Sequence, residues 1–439
     1  MSRLQQRNAA PGGLRSNILT DAGESEVAVK NAAPVCRGCA GGELETILDL
    51  GRMPLANALL TEERLREPEA KYPLVFVFCP ECSLAQITEN VPPETLFRQY
   101  LYFSSFSDTI LHESRRIAER MVHSRRLDRN SRVVEIASND GYLLQFYKQS
   151  GVPVLGVEPA LNIAAAALDR GIPTVCEFFS SDLAWRLADQ GQRADVIHAN
   201  NVLAHVADLD EFLTGIATLL KSDGIVVIEV PYVRDMIEHV EFDTIYHEHL
   251  SYFSLTALSR LLESHALMIT DVERLAAQGG SLRVFVEHRA IRSHVSTSVQ
   301  QMLAEENRLG LTSFHFHEDF AKNVARLKVS LLACLRNIKS QGQRIAAYGA
   351  SAKGSTLLNH FGIDGAILDF VVDRSTAKQG LYTPGTHLPV YAPEKLLEAM
   401  PGYVLLLTWN LEEEILEQQK EYRRRGGRFI VPIPEPRVI

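Results

Sequence analysis

Val133-Val-Glu-Ile-Ala-Ser-Asn-Asp-Gly-Tyr142 reads as a buried strand that runs into a tight turn and then a helix. Outward from it, strand and helix alternate. Val154-Leu-Gly-Val-Glu158 is a second strand, and it ends in an acid. Asp195-Val-Ile-His-Ala-Asn-Asn201 is a third. Asp208-x-x-Glu211 then has the capping-box pattern, opening a helix that Gly224 is expected to end. Ile225-Val-Val-Ile-Glu-Val230 is the next buried strand, halted by Pro231. This alternation predicts an α/β fold with a doubly wound parallel sheet and ligands at the carboxyl ends of its strands. A helical region from about 297 to 339 leads into a second α/β unit. There Arg344-Ile-Ala-Ala-Tyr-Gly-Ala-Ser-Ala-Lys-Gly-Ser-Thr-Leu357 is again strand, small-residue turn and helix start.

The first turn has the makings of a nucleotide site. Ala137, Ser138 and Gly141 are small enough for a ligand to approach the backbone, and Glu158 is placed to accept hydrogen bonds from a ribose diol. The G-x-G-x-x-G needed for a pyrophosphate is absent. Glu135-x-x-x-Asn139-Asp-Gly141 has instead the look of an S-adenosylmethionine turn, although a ligand-free strand–turn–helix stays open. Glu135, Ala137, Asn139, Gly141, Glu158 and Asn200, near the end of the third strand, are the cofactor candidates. In the second unit, backbone N–H groups at the helix start, with Lys353, suit a phosphate.

Four of the six cysteines form two Cys-x-x-Cys knuckles, Cys36/Cys39 and Cys79/Cys82. This is a zinc-ribbon pattern: two thiolates from each knuckle fill one tetrahedral shell, leaving no open position and implying a structural ion. A disulfide framework is the alternative, and it fits poorly with a cytoplasmic chain.

Asp243-Thr-Ile-Tyr-His-Glu-His-Leu-Ser-Tyr-Phe-Ser254 gathers groups suited to acid–base work near neutral pH. On an extended segment His247 and His249 would share one side, with Tyr246 and Glu248 on the other. Half of a metal site, or a polar loop with merely satisfied histidines, are the competing readings. His205 lies just beyond the Asp195–Asn201 strand and rises over the same sheet edge, unless it is a helix-start histidine bonded to backbone. Tyr100-Leu-Tyr-Phe-Ser-Ser-Phe-Ser107, with Tyr102 and Ser104, either lines a substrate pocket or only packs the zinc module. Arg283, in Gln278-Gly-Gly-Ser-Leu-Arg-Val-Phe-Val286, is a substrate candidate or a paired charge. Phe314-His-Phe-His317 is expected to be non-functional.

The chain has 439 residues, 46% hydrophobic and 23% charged, with a formal net charge of −9. That is ordinary for two or three globular domains, and the acidic balance argues against nucleic-acid and anionic-membrane partners. No apolar run approaches a membrane span or a signal peptide, so a cytoplasmic location is expected. Expected boundaries are 1–33 for a disordered extension, 34–106 for the zinc module, 107–296 for the cofactor domain and 297–439 for a C-terminal Rossmann-like domain.

The order of these pieces resembles the sugar-nucleotide C-methyltransferases that make branched deoxysugars such as tetronitrose and mycarose. Besides the knuckles, the resemblance rests on Asp49-Leu-Gly…Pro54-Leu-Ala-Asn57, Glu135-Ile-Ala-Ser-Asn-Asp-Gly141, Val157-Glu-Pro159, Ile245-Tyr-His-Glu-His-Leu-Ser-Tyr-Phe253, Gly279-Gly-Ser-Leu-Arg283, Ala347-Tyr-Gly-Ala-Ser-Ala-Lys-Gly354 and Val431-Pro-Ile-Pro-Glu-Pro-Arg437, spanning roughly 34–439. It implies a zinc module, a central S-adenosylmethionine domain and a C-terminal α/β domain, with the sugar nucleotide between them. It also implies that His249 is the base, with Tyr100, His205, Tyr246 and Glu248 around the sugar. Ala137 stands where that family usually has glycine, and Gln278 where a histidine is common. The reading is therefore C-methylation beside the ketone of a nucleotide-linked deoxysugar, a dTDP-sugar first among them, by a monomer or homodimer. A zinc-containing RNA methyltransferase and a non-catalytic degenerate methyltransferase are the alternatives.

Overall fold

Three sheets carry the architecture of the computed structural model, which describes residues 34–98, 100, 103–275, 279–291 and 294–439. The expected extension, Tyr102 and Gln278 lie outside the described residues. Val35–Ile439 form one compact unit.

The first sheet grows from the cysteine module: β1 (Glu45–Met53), β2 (Tyr72–Phe78) and β3 (Ala85–Ile87) form an antiparallel meander. Its fourth strand is β9 (Ser251–Tyr252), from the histidine-rich stretch far along the chain, which pairs Ala85 with Tyr252 and Gln86 with Ser251.

The central sheet contains β4 (Val133–Ile136), β5 (Val154–Val157), β6 (Thr174–Val175), β7 (Ala194–Asn200), β8 (Leu220–Pro231), β10 (Leu267–Leu275) and β11 (Ser281–His288). Their order is β10-β11-β8-β7-β4-β5-β6. β4 to β8 run parallel, so the doubly wound expectation holds, and β10 and β11 add an antiparallel edge. The chain winds one way from β4 to β6 and the other way from β7, so the switch point lies between β4 and β7. Val133, Val134, Ile197, Val226 and Ile228 are fully buried, as strands covered on both faces require.

Asp208 caps the next helix (Leu209–Leu219) as expected, accepting from the Glu211 amide at 2.9 Å. Gly224 does not end it. The helix stops at Leu219 and β8 begins at once, with Gly224 inside the strand, where a side chain would meet the Ala194 carbonyl at 2.9 Å. The expected 297–339 helical region is two helices, Thr297–Leu309 and Phe320–Ser340, divided after Gly310.

The third sheet contains β12 (Ile345–Tyr348), β13 (Val371–Val372), β14 (Val390–Tyr391), β15 (Tyr403–Leu406), β16 (Arg428–Val431) and β17 (Arg437–Val438). Their order, β14-β13-β12-β15-β16-β17, places a second switch point between β12 and β15.

Candidate active site

Both switch points open into one cavity of about 720 Å³. On the central-sheet side, β4 gives way to a turn in which Ala137 and Asn139 adopt φ of 55° and 48°. Left-handed backbone at two non-glycine residues turns the chain sharply at the end of the strand, with the Ser138 amide on the Val157 carbonyl at 3.1 Å. The Glu158 carboxylate, just past β5, is fixed beside that turn by two amides, from Asn139 at 3.0 Å and from Ala160 at 2.9 Å. Burial pushes its pKa up to about 7, and those two amides oppose the rise. Each oxygen keeps a lone pair for a ligand hydroxyl. Ala137, Asn139, Glu158 and Asn200 line the cavity, and the Asn200 carbonyl oxygen of the side chain is buried without a partner.

Two other cofactor candidates lie back from the wall. Glu135 is buried beneath the turn, and burial holds its pKa well above the ordinary carboxylate range against the opposing effect of the Tyr142 hydroxyl. A side chain at Gly141 (φ 78°) would strike Ile172 at 2.7 Å, so this glycine serves helix packing.

The histidine-rich stretch is a turn rather than an extended segment. The His249 amide bonds the Tyr246 carbonyl at 2.9 Å. This closes the chain on itself and overturns the alternation expected for His247 and His249. His249 is brought to Tyr246, whose hydroxyl lies 2.8 Å from Nε2, while His247 turns away to the Pro73 carbonyl at 3.1 Å and is buried. His249 Nδ1 lies 2.9 Å from the Thr244 carbonyl. A carbonyl only accepts, so Nδ1 carries the proton and Nε2 offers a lone pair. Burial, then His205, pushes the His249 pKa well below that of free imidazole, so the ring is neutral at pH 7.

His205 packs edge-on to His249 at 4.9 Å between centroids and donates from Nδ1 to the Glu248 carbonyl at 2.7 Å. Burial lowers its pKa to about 4. Glu248 stands behind the wall and accepts from the Tyr100 hydroxyl at 3.2 Å. Tyr100, His205, Tyr246 and His249 all reach the cavity. Ser104 does too, with its amide on Asn139 Oδ1 at 2.9 Å. Arg283 borders the cavity but is committed to Glu229 at 2.6 Å and Glu273 at 3.3 Å.

On the C-terminal side the pattern of the central-sheet side is repeated. The turn after β12 opens the helix Ala352–Phe361, capped by Ser351 on the Gly354 amide at 3.0 Å. Lys353 leaves this turn over the Trp409 ring at 4.7 Å and lines the cavity. A side chain on Gly349 (φ 98°) would strike Thr408 at 2.6 Å. Asp373, just past β13, is clamped by the Ala350 amide and its own chain's Ser375 amide, both at 2.8 Å. Glu158 is held in the same way, by the turn amide and the amide two residues on. The Ser375 hydroxyl, on the same wall, is buried without a partner. Asp373 escaped the sequence reading, although an acid closing the second strand of such a unit was the signal that had located Glu158.

The four expected cysteine ligands converge: their sulfurs all lie within 4.8 Å of one another, with Cys36–Cys82 at 3.4 Å and Cys39–Cys79 at 3.6 Å. Thiolates on a tetrahedral zinc at about 2.3 Å stand roughly 3.8 Å apart, so the set fits zinc and is too open for disulfides. The Arg37 side chain braces the first knuckle on the Ile87 carbonyl at 2.5 Å and the Glu89 carbonyl at 3.0 Å.

Comparisons with known proteins place the chain among methyltransferases. Three family models match in succession: a zinc binding domain over 36–97, a methyltransferase domain over 110–271 and a C-methyltransferase C-terminal domain over 276–434. C-methyltransferase NovU of Streptomyces niveus is 37% identical over 404 residues, 92% of this chain and 96% of its own. A ubiquinone biosynthesis O-methyltransferase of Bartonella quintana (strain Toulouse) is 31% identical over 100 residues, 23% of this chain and 40% of its own. A solved magnesium protoporphyrin IX methyltransferase from Synechocystis overlays 40% of this chain and 78% of its own, at 13% identity and a TM-score of 0.30.

The doubly wound sheet, its ligand turn and the cysteine cluster thus define an S-adenosylmethionine-dependent methyltransferase with a zinc module. More narrowly, the chain belongs to the C-methyltransferase family and is a C-methyltransferase. No helix among the described residues is long and apolar enough to cross a membrane.

Proposed function

We propose that the enzyme methylates the carbon beside the ketone of a nucleotide-linked deoxysugar, with His249 as the base. The observation that carries this is His249 at the cavity wall, its Nδ1 proton committed to the Thr244 carbonyl so that Nε2, which accepts from the Tyr246 hydroxyl, is the basic nitrogen. Glu158 holds the donor's ribose. Asp373, Ser375 and Lys353 hold the nucleotide of the sugar substrate, a dTDP-sugar being the first expectation, and Ser104 borders the sugar. The repeated carboxylate clamp supports this division, since a carboxylate braced by two amides still has lone pairs for hydroxyls. We assign the reaction to the cytoplasm.

Carbon is a poor nucleophile until deprotonated. His249 Nε2 takes the α-proton, and the Thr244 carbonyl on Nδ1 favours the imidazolium that results. As Nε2 fills, the Tyr246 hydroxyl can no longer donate to it. The O–H turns to the developing enolate oxygen while its own lone pair accepts from the imidazolium. His205 does not compete for this role, because its ring proton is spent on the Glu248 carbonyl. S-Adenosylmethionine, when bound, supplies the methyl from a sulfonium to the enolate carbon. Mass spectrometry after incubation with S-adenosylmethionine and a panel of dTDP- and GDP-linked keto-deoxysugars tests the proposal. A mass gain of one methyl on carbon is expected for one of them, and methylation of oxygen would overturn the reading.

A further inference from the structure

Glu248 lies behind the cavity wall, yet three wall residues depend on it. Asn57 Nδ2 donates to Oε1 at 2.7 Å, the Tyr100 hydroxyl to Oε2 at 3.2 Å, and His205 Nδ1 to the main-chain carbonyl at 2.7 Å. Asn57 differs from the others in origin. It belongs to the loop after β1 in the cysteine module, 191 residues from Glu248 along the chain. That loop is held without help from Glu248. Leu60 and Tyr382 exchange main-chain bonds at 2.9 and 2.8 Å, and a side chain on Gly385 would press on Pro54 at 3.0 Å. Asn57 is therefore presented by a frame of its own. Its amide is the shorter of the two bonds on a carboxylate that is 3% exposed.

Resting on the proposed reaction, we infer that Asn57 is a positioning residue for methyl transfer. By occupying Oε1 it fixes the Glu248 carboxylate so that Oε2 stays on Tyr100, which holds that phenol against the sugar. A buried carboxylate with one donor removed either rotates toward the remaining donor or takes up a proton. The first draws the Tyr100 hydroxyl along with the carboxylate and the second weakens its bond, so either response moves the phenol from its place against the sugar. Lys378, whose charge also favours the Glu248 carboxylate, is already bonded to the Ala350 carbonyl at 2.8 Å, which ties it to the C-terminal turn. Among the described residues, Tyr100 and Asn57 are thus the two neutral donors on this carboxylate.

The test is a double-mutant cycle on methylation by the full-length zinc protein. Asn57→Ala should lower kcat by about tenfold to a hundredfold, as loss of a hydrogen bond to a buried charge does. S-Adenosylhomocysteine affinity and zinc content should not change. In a Glu248→Gln background the same substitution should cost less than about threefold, because its effect passes through that carboxylate. Asn57→Asp keeps the shape and places two carboxyl groups at bonding distance, so they must share a proton and the pH profile of kcat should move. A full loss in the Glu248→Gln background, or an Asn57→Asp profile identical to that of the parent enzyme, would overturn the inference. If the parent enzyme methylates no keto-sugar nucleotide, the underlying reading fails instead.

Discussion

Ala137 is an L-residue held at φ 55°. Left-handed backbone costs a residue with a β-carbon roughly 1–2 kcal/mol, partly offset by the greater freedom glycine has when unfolded. Ala137→Gly should therefore raise the unfolding free energy by up to about 1 kcal/mol in denaturant titration, with donor affinity equal or better. Glu158 carries the second residue-scale prediction. Burial raises its pKa to about 7, and only the carboxylate accepts from both ribose hydroxyls. Affinity for S-adenosylhomocysteine should thus fall as pH drops below 7 and level off above it. Glu158→Gln should flatten that dependence in calorimetric titrations run across pH 5.5 to 8.5, a range chosen as roughly 1.5 units either side of the midpoint. Glu158 and the cysteines were legible in the sequence because short spacings fix their geometry. Asn57 was not: its partner is brought to it by tertiary structure, and no local pattern announces that pairing.

At the scale of elements, strand and helix identities followed from periodicity, while breaks in the pattern misled. Gly224 looked like a helix stop, but its bare backbone serves the close approach of β7 and β8. The alternation applied to His247 and His249 assumed an extended chain, and the Tyr246–His249 turn replaced it. On the proposed division, the turn after β12 and the acid after β13 act separately from the donor site. Asp373→Asn should raise KM for the sugar nucleotide several-fold, as weakening a charge-assisted acceptor by roughly 1–2 kcal/mol does, and leave S-adenosylhomocysteine affinity unchanged. Steady-state kinetics with titration of the second ligand would check it. The reverse pattern would move the nucleotide elsewhere.

Across the whole molecule, the cysteine module and the histidine-rich stretch share one sheet. β9 follows His249 by one residue and pairs with β3, and the Ile87 amide bonds the Leu250 carbonyl at 3.0 Å. Sequence order gave no hint of this, because a two-residue strand carries too little pattern to read. Stripping zinc with a chelator should thus lower the unfolding temperature and also loosen the join to the His249 turn, seen as faster amide exchange at Ile87 and Tyr252. Protection unchanged in the zinc-free protein would separate the two. The three-part α/β architecture was readable from motifs in order, and what packing added was the single cavity on which both turns converge. The central claim is that His249 takes the α-proton. It is tested most directly by deuterium uptake beside the substrate ketone, measured in D₂O with S-adenosylhomocysteine bound. Wild-type enzyme should incorporate deuterium, and His249→Asn should bind both ligands yet exchange about 10²–10⁴-fold more slowly. Exchange by His249→Asn at the wild-type rate would contradict it.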